Sequence, residues 1–141
     1  MKSSKRSLQW IVFCMIAVCI AVLHFPAQSE AFEISIDVAP NVLNLQNSGE
    51  VVTVHTGIAY SSVNGATVTL NDIAIDWWKA DNQGDFVAKF VMDKIKNLPG
   101  LEVPGENELT LVGYTTDGTE FVGTQTITVI DVIPSGSAGK K

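Results

Sequence analysis

Beyond residue 31 this sequence has no cysteine and only one histidine, His55. Without cysteine, no disulfide can brace that part of the chain, even along an export route that would permit one. One histidine and no cysteine cannot supply a tetrahedral zinc site. A nucleophile–base pair would need Ser61 or Ser62 beside His55, and no GxSxG elbow or comparable context surrounds either serine. His55 itself falls on the outer face of an expected strand, so the sequence reads as a non-enzyme with no cofactor. Basic residues are scarce too. Six Lys/Arg stand against fourteen Asp/Glu beyond residue 31, a formal charge of −8. Such a surface repels nucleic acid and anionic headgroups, which excludes both as partners.

The one long apolar run is at the start. Lys2, Lys5 and Arg6 precede residues 10–23, an unbroken apolar stretch of 14 residues. Pro26 and Gln28 break it, and Ser29-Glu30-Ala31 places small residues at the −3 and −1 positions of a cleavage site. This is the pattern of a secretory signal peptide over residues 1–31. A spanning helix needs roughly 20 apolar residues, so an uncleaved signal segment is the only membrane attachment to consider. Cys14 and Cys19 both lie inside the run. Lipid attachment at Cys19 is disfavoured because Val18, not a small residue, precedes it and the apolar run continues beyond it. The expected location is the periplasm, or the extracellular space and cell surface. About 110 residues remain, one domain over residues 32–133, and the small, polar, glycine-bearing residues 134–141 read as a disordered tail.

Within the domain, apolar residues recur at period two. Residues 32–38 (FEISIDV) alternate up to Pro40, which cannot donate to a ladder. Val42, Leu43 and Leu45 continue briefly to a turn at Asn47-Ser48-Gly49. Residues 50–56 (EVVTVHT) form the next strand, with Val52 and Val54 inward, and Gly57 and Ser61-Ser62 mark a loop. Residues 66–70 (ATVTL) end at a turn, Asn71-Asp72. Ile73, Ile75 and Trp77 then share one face, and Phe86, Ala88 and Phe90 share a face of the following strand. A four-residue loop over residues 81–84 pairs Ala80 with Asp85. That register sets Trp77 opposite Ala88, Ile75 opposite Phe90, and Asp76 opposite Lys89 on the outer face. It turns Trp78 outward. Val91, Ile95 and Leu98 fall instead at helical spacing and stop at Pro99-Gly100, which predicts one or two helical turns.

Residues 105–131 carry the strongest signal, two alternating runs about Asp117-Gly118. A two-residue turn there pairs Tyr114 with Phe121 but leaves Leu109 and Leu111 facing away from Ile127 and Val129. One extra residue repairs the mismatch, and Gly123 is the expected place for such a bulge. Seven or eight strands with regular turns and one short helical turn give an all-β class. The expected architecture is an antiparallel immunoglobulin-like β-sandwich preceded by a signal-peptide helix. The Cys-Trp-Cys spacing of antibody domains is missing.

The succession IDVAPNVLNL, EVVTVHT, ATVTLND and GENELTLVGYTTDGTEFVGTQTITVID resembles bacterial immunoglobulin-like modules of secreted and surface proteins, often of uncharacterised role. The likeness spans nearly all of the chain beyond residue 31 and is sharpest in the final hairpin. It implies a binding or structural module. Related modules often carry an acidic, calcium-motif-like loop between the middle strands. Here the corresponding Asp81-Asn82-Gln83-Gly84-Asp85 lacks the alternating ligand pattern. Calcium takes six to eight oxygens, and this run supplies about three, so it reads as a hairpin turn whose side chains bond local amides.

The candidate binding residues are therefore Trp78, as an outward aromatic, with Asp76 and Lys89 beside it. Tyr60 and Tyr114 are candidates for the same patch. The expected partner is another exported protein, met by protein–protein contact or structural support. The alternative is a glycan, bound by a carbohydrate-binding module through the same aromatic.

Overall fold

Alternation at period two gives each strand one face to bury. In the computed structural model, which describes residues 30–135, ten strands bury those faces between two sheets. The strands are β1 (Phe32–Glu33), β2 (Ile36–Ala39), β3 (Val42–Asn44), β4 (Val51–Ala59), β5 (Val63–Leu70), β6 (Ile73–Ala74), β7 (Trp77–Ala80), β8 (Asp85–Val91), β9 (Gly105–Thr115) and β10 (Glu120–Ile130). A 3-10 turn, Tyr60–Ser62, precedes β5, and one helical turn, α1 (Met92–Lys96), follows β8. The signal segment and its helix fall on residues 1–29, and most of the expected tail on residues 136–141; both lie outside the described residues.

One sheet runs β1-β10-β9-β5-β6, with β3 also paired to β10; the other runs β2-β4-β8-β7. Two expected strands are each split in two because the chain changes sheets. Residues 32–38 break at Ile34-Ser35 into β1 of the first sheet and β2 of the second. Residues 73–80 break at Ile75-Asp76 into β6 and β7 in the same way. The first crossing also corrects the expectation of purely antiparallel pairing. β1 and β3 both run parallel to β10, since the chain returns to that edge in the same direction after its excursion through β2.

The core between the sheets takes Val52, Val54, Phe86, Ala88 and Phe90 from one side and Val68, Leu70, Leu109, Leu111, Phe121, Ile127 and Val129 from the other. Met92 and Ile95 of α1 complete one end. Full burial of side chains such as Phe86, Phe90 and Phe121 contributes about 1.5–3 kcal/mol each. β4 continues through Gly57 to Ala59, three residues past its expected end at Thr56 and into the expected loop. Within it the buried Thr56 hydroxyl donates to the Phe86 carbonyl at 2.6 Å.

Both long hairpins close differently from the sequence register, and for one reason. In the last hairpin Thr115 N–H donates to Thr119 C=O at 2.9 Å, so the loop is Thr116-Asp117-Gly118, with Gly118 at φ +88°. Three-residue loops of this kind place a left-handed residue last, the natural position for glycine. The added residue therefore sits in the turn, and β9 pairs with β10 without interruption from Tyr114–Glu120 to Gly105–Val129. No bulge exists at Gly123. Leu109, Leu111, Ile127 and Val129 are nonetheless all buried, as their apolarity requires.

The β7–β8 hairpin repeats the pattern. Asp81 N–H donates to Asp85 C=O at 2.9 Å, leaving Asn82-Gln83-Gly84 as the loop with Gly84 at φ +87°. Ala80 consequently pairs with Phe86, not Asp85, and every side chain of β7 changes face.

Candidate functional site

That exchange of faces decides where the expected binding residues go. Trp77 pairs with Lys89 and Lys79 with Val87, both on the outer face, whereas Trp78 pairs with the core residue Ala88. Trp78 thus points toward the opposite sheet, contrary to the outward direction expected. Its indole lies on Gly65 of β5, where a Cβ would fall 2.3 Å from Cε2. The ring closes the margin of the sandwich and remains 38% exposed.

Asp76 does not face Lys89 as a charge partner. Its main-chain N–H donates to the Lys89 carbonyl at 3.1 Å, while its carboxylate turns to α1. There Oδ2 accepts from the Val91 amide at 2.7 Å and Oδ1 from Lys94 Nζ at 2.5 Å. The Lys94 hydrogen bond first, and the Val91 amide second, hold the Asp76 carboxyl below its ordinary value. Its role at the sheet crossing is to tie β7 to the helical turn. Trp78, Asp76 and Lys89 therefore point three ways, Trp78 to Gly65, Asp76 to Val91 and Lys94, and Lys89 to the outer face beside Trp77, and do not form one patch.

Tyr60 stacks on Phe86, with ring centroids 6.2 Å apart, near the same margin as Trp78. Tyr114 lies elsewhere, on the outer face of the other sheet, opposite Glu120 and Asn64. Asp81 behaves as a turn residue. Its Oδ1 accepts from the amides of Asp85 (2.9 Å) and Gln83 (2.8 Å), which lower its carboxyl pKa. Among the described residues no group of three or more His, Cys, Asp or Glu is arranged to hold a metal ion. His55 is exposed on the outer face between Val87 and Asp37. A shallow cavity of about 280 Å³ lies between the segment after α1 and the start of β9, bordered by Glu102, Glu106 and Glu108. The Asn107 side chain there bridges Glu102 and Gly105 main chain and holds the loop.

The feature that the sequence register missed is the free edge of β7. All four of its residues are exposed, and among the described residues no strand pairs with its outer side. Since Asp81 is hydrogen-bonded to Asp85, alternation along the antiparallel pair directs Lys79 and Trp77 main-chain groups to β8. It turns the N–H and C=O of Trp78 and Ala80 outward, where no partner is found among the described residues. At the opposite edge of the same sheet the Gln125 side chain accepts from Val38 N–H at 2.6 Å. Beside the free edge the outer face presents Trp77, 42% exposed, between Lys79 and Lys89. One signal could have revealed this arrangement: glycine ending each hairpin loop, Gly84 and Gly118 alike, marks a three-residue turn.

No protein-family model, no curated protein and no solved structure matches this chain.

Proposed function

We propose that the chain is an exported, non-catalytic immunoglobulin-like module that makes protein–protein contact in the periplasm or at the cell surface through the free edge of β7. The observation that carries this reading is the edge itself: exposed tryptophans, and main-chain groups at Trp78 and Ala80 that have no partner among the described residues, on a sheet whose other edge strand is met at Val38 N–H by the Gln125 side chain. Open sheet edges are ready templates for strand addition by a partner. Strand order supports the immunoglobulin-like part. With the short strands β1, β3 and β6 set aside, lettering β2, β4, β5, β7, β8, β9 and β10 from A to G makes the two sheets read A-B-E-D and G-F-C, the constant-type order. Export rests on the signal-like residues 1–31, and the non-catalytic reading on a lone strand histidine.

The test compares cross-linking of wild-type protein and an Ala80→Pro variant to partners in the exported fraction. Proline is tolerated at an edge position whose N–H faces away from the ladder, so the variant keeps its thermal transition while losing the cross-linked species. Unchanged cross-linking in Ala80→Pro removes the β7 edge as the contact surface.

A carbohydrate-binding module is the second reading, favoured by the exposed Trp77 on the outer face. Retention on polysaccharide that disappears in Trp77→Ala would support it, and a blank polysaccharide screen would dismiss it.

A further inference from the structure

We infer that the occupant of the β7 edge is an extended, acidic polypeptide segment, added as a fifth strand to the β2-β4-β8-β7 sheet; this rests on the edge-contact reading above. Two independent features support it. The first is chemical: Trp78 and Ala80 each present an N–H and a C=O in strand geometry, and extended polypeptide supplies both partners at the matching spacing.

The second is the distribution of charge. The protein is strongly acidic, yet all four lysines of the described residues, Lys79, Lys89, Lys94 and Lys96, lie on β7, β8 and α1. Lys94 is paired with Asp76, and Lys96 is hydrogen-bonded to the Asn47 carbonyl beside Asp93. Lys79 and Lys89 have no ion pair among the described residues. They flank Trp77 on the outer face, directly beside the free edge. The two carboxylates that flank β7 in the chain are already engaged, Asp76 by Lys94 and Val91, Asp81 by the amides of its own loop; Asp85 shares the outer face of β8 and makes no ion pair among the described residues.

Register then specifies the occupant. A strand bonded to both Trp78 and Ala80 sets the residue between its two bonding residues opposite Lys79, where a carboxylate is favoured and a cation is not. Its flanking residues fall on the inner side, against the Trp78 indole and Ala80, where apolar side chains fit. Lys79 thus acts as a selector: it discourages neutral or basic strands and accepts an acidic one. A second copy using the same two bonding residues would bring Lys79 opposite Lys79, which disfavours self-pairing.

The experiment is amide hydrogen exchange of the protein with a short peptide alternating valine and aspartate, and with its valine–lysine counterpart. The expected result is about ten-fold slower exchange at Trp78 and Ala80 with the acidic peptide at about ten times its Kd. The lysine peptide gives no such protection, and Lys79→Glu inverts the preference. Equal protection by both peptides overturns the acidic selection while leaving the edge contact standing. No protection by either peptide overturns the edge contact as well. Protection that grows with protein concentration alone would identify a second copy as the occupant and overturn the inference.

Discussion

The indole of Trp78 rests directly on the backbone of Gly65 across the gap between the two sheets, with no room for a side chain beneath it. Gly65→Ala must displace the ring, because the new Cβ would meet Cε2 at 2.3 Å and Nε1 at 2.5 Å. The expected loss is about 1–3 kcal/mol, the usual range for overpacking. In a Trp77→Phe background, Trp78 fluorescence should move to longer wavelength as the ring is pushed into water. Unchanged stability and emission would mean that the contact is not maintained in solution.

Asp76 makes stability depend on acid. Its carboxyl is held below the unfolded value of 3.8 by Lys94 and the Val91 amide. The charged form is therefore the one favoured by folding. Its contribution is fully present above about pH 3.8 and is lost as pH falls through the lower folded value. Asp76→Asn should weaken the fold at neutral pH by about 1–2 kcal/mol through the poorer acceptor and flatten the acid limb of the denaturation profile. Urea titrations of both proteins from pH 7 to pH 2 measure this, and parallel acid limbs would count against it.

Gly123 is required by a neighbour and not by a bulge. The segment entering β2 crosses so close that a Cβ at residue 123 would meet Ile36 Cγ2 at 2.5 Å and the Ile34 carbonyl oxygen at 3.1 Å. Gly123→Ala is expected to cost about 1–3 kcal/mol, with exchange rising first at Ile34, whose N–H donates to the Val122 carbonyl. If exchange rose first at β9 instead, the clash would lie within the hairpin.

Gly118 is sensitive for the opposite reason. Nothing lies within 4 Å of a Cβ there, but φ is +88°. Gly118→Ala should cost about 1–2 kcal/mol from backbone conformation alone, and Gly118→Asn distinctly less, because asparagine enters the left-handed region more readily. Thermal denaturation of the two variants distinguishes them; equal losses would point to a contact with the side chain.

Strand positions and their inward residues were largely legible, because period-two alternation is local and strong: Val52, Val54, Phe86, Ala88 and Phe90 are buried as their spacing requires. The helical turn at Met92–Lys96 follows from the spacing of Val91, Ile95 and Leu98 in the same way. Register was not legible. Loops of two, three or four residues all fit the local composition around Asp117-Gly118 and Asp81–Asp85, yet one residue more or less exchanges the faces of a whole strand. The mismatch between Leu109, Leu111 and Ile127 showed that a residue was missing from the pairing, and only the folded hairpin placed it at Thr116. In the β7–β8 hairpin a loop one residue shorter than expected moved Trp78 from the expected outer patch to the sheet margin, put Trp77 in its place, and left Asp76 without Lys89 as a charge partner.

The sequence by itself determined the alternation that makes the chain all-β, the turn residues, the acidic balance and the signal-like start, each a property of neighbouring residues or of a sum over the chain. The tertiary structure alone decided the two crossings between sheets, the loop lengths and the free edge at Trp78 and Ala80. Those depend on which faces meet across the core, and burial of one strand against another is settled only when the distant partners, such as Gly65 under Trp78, are in place.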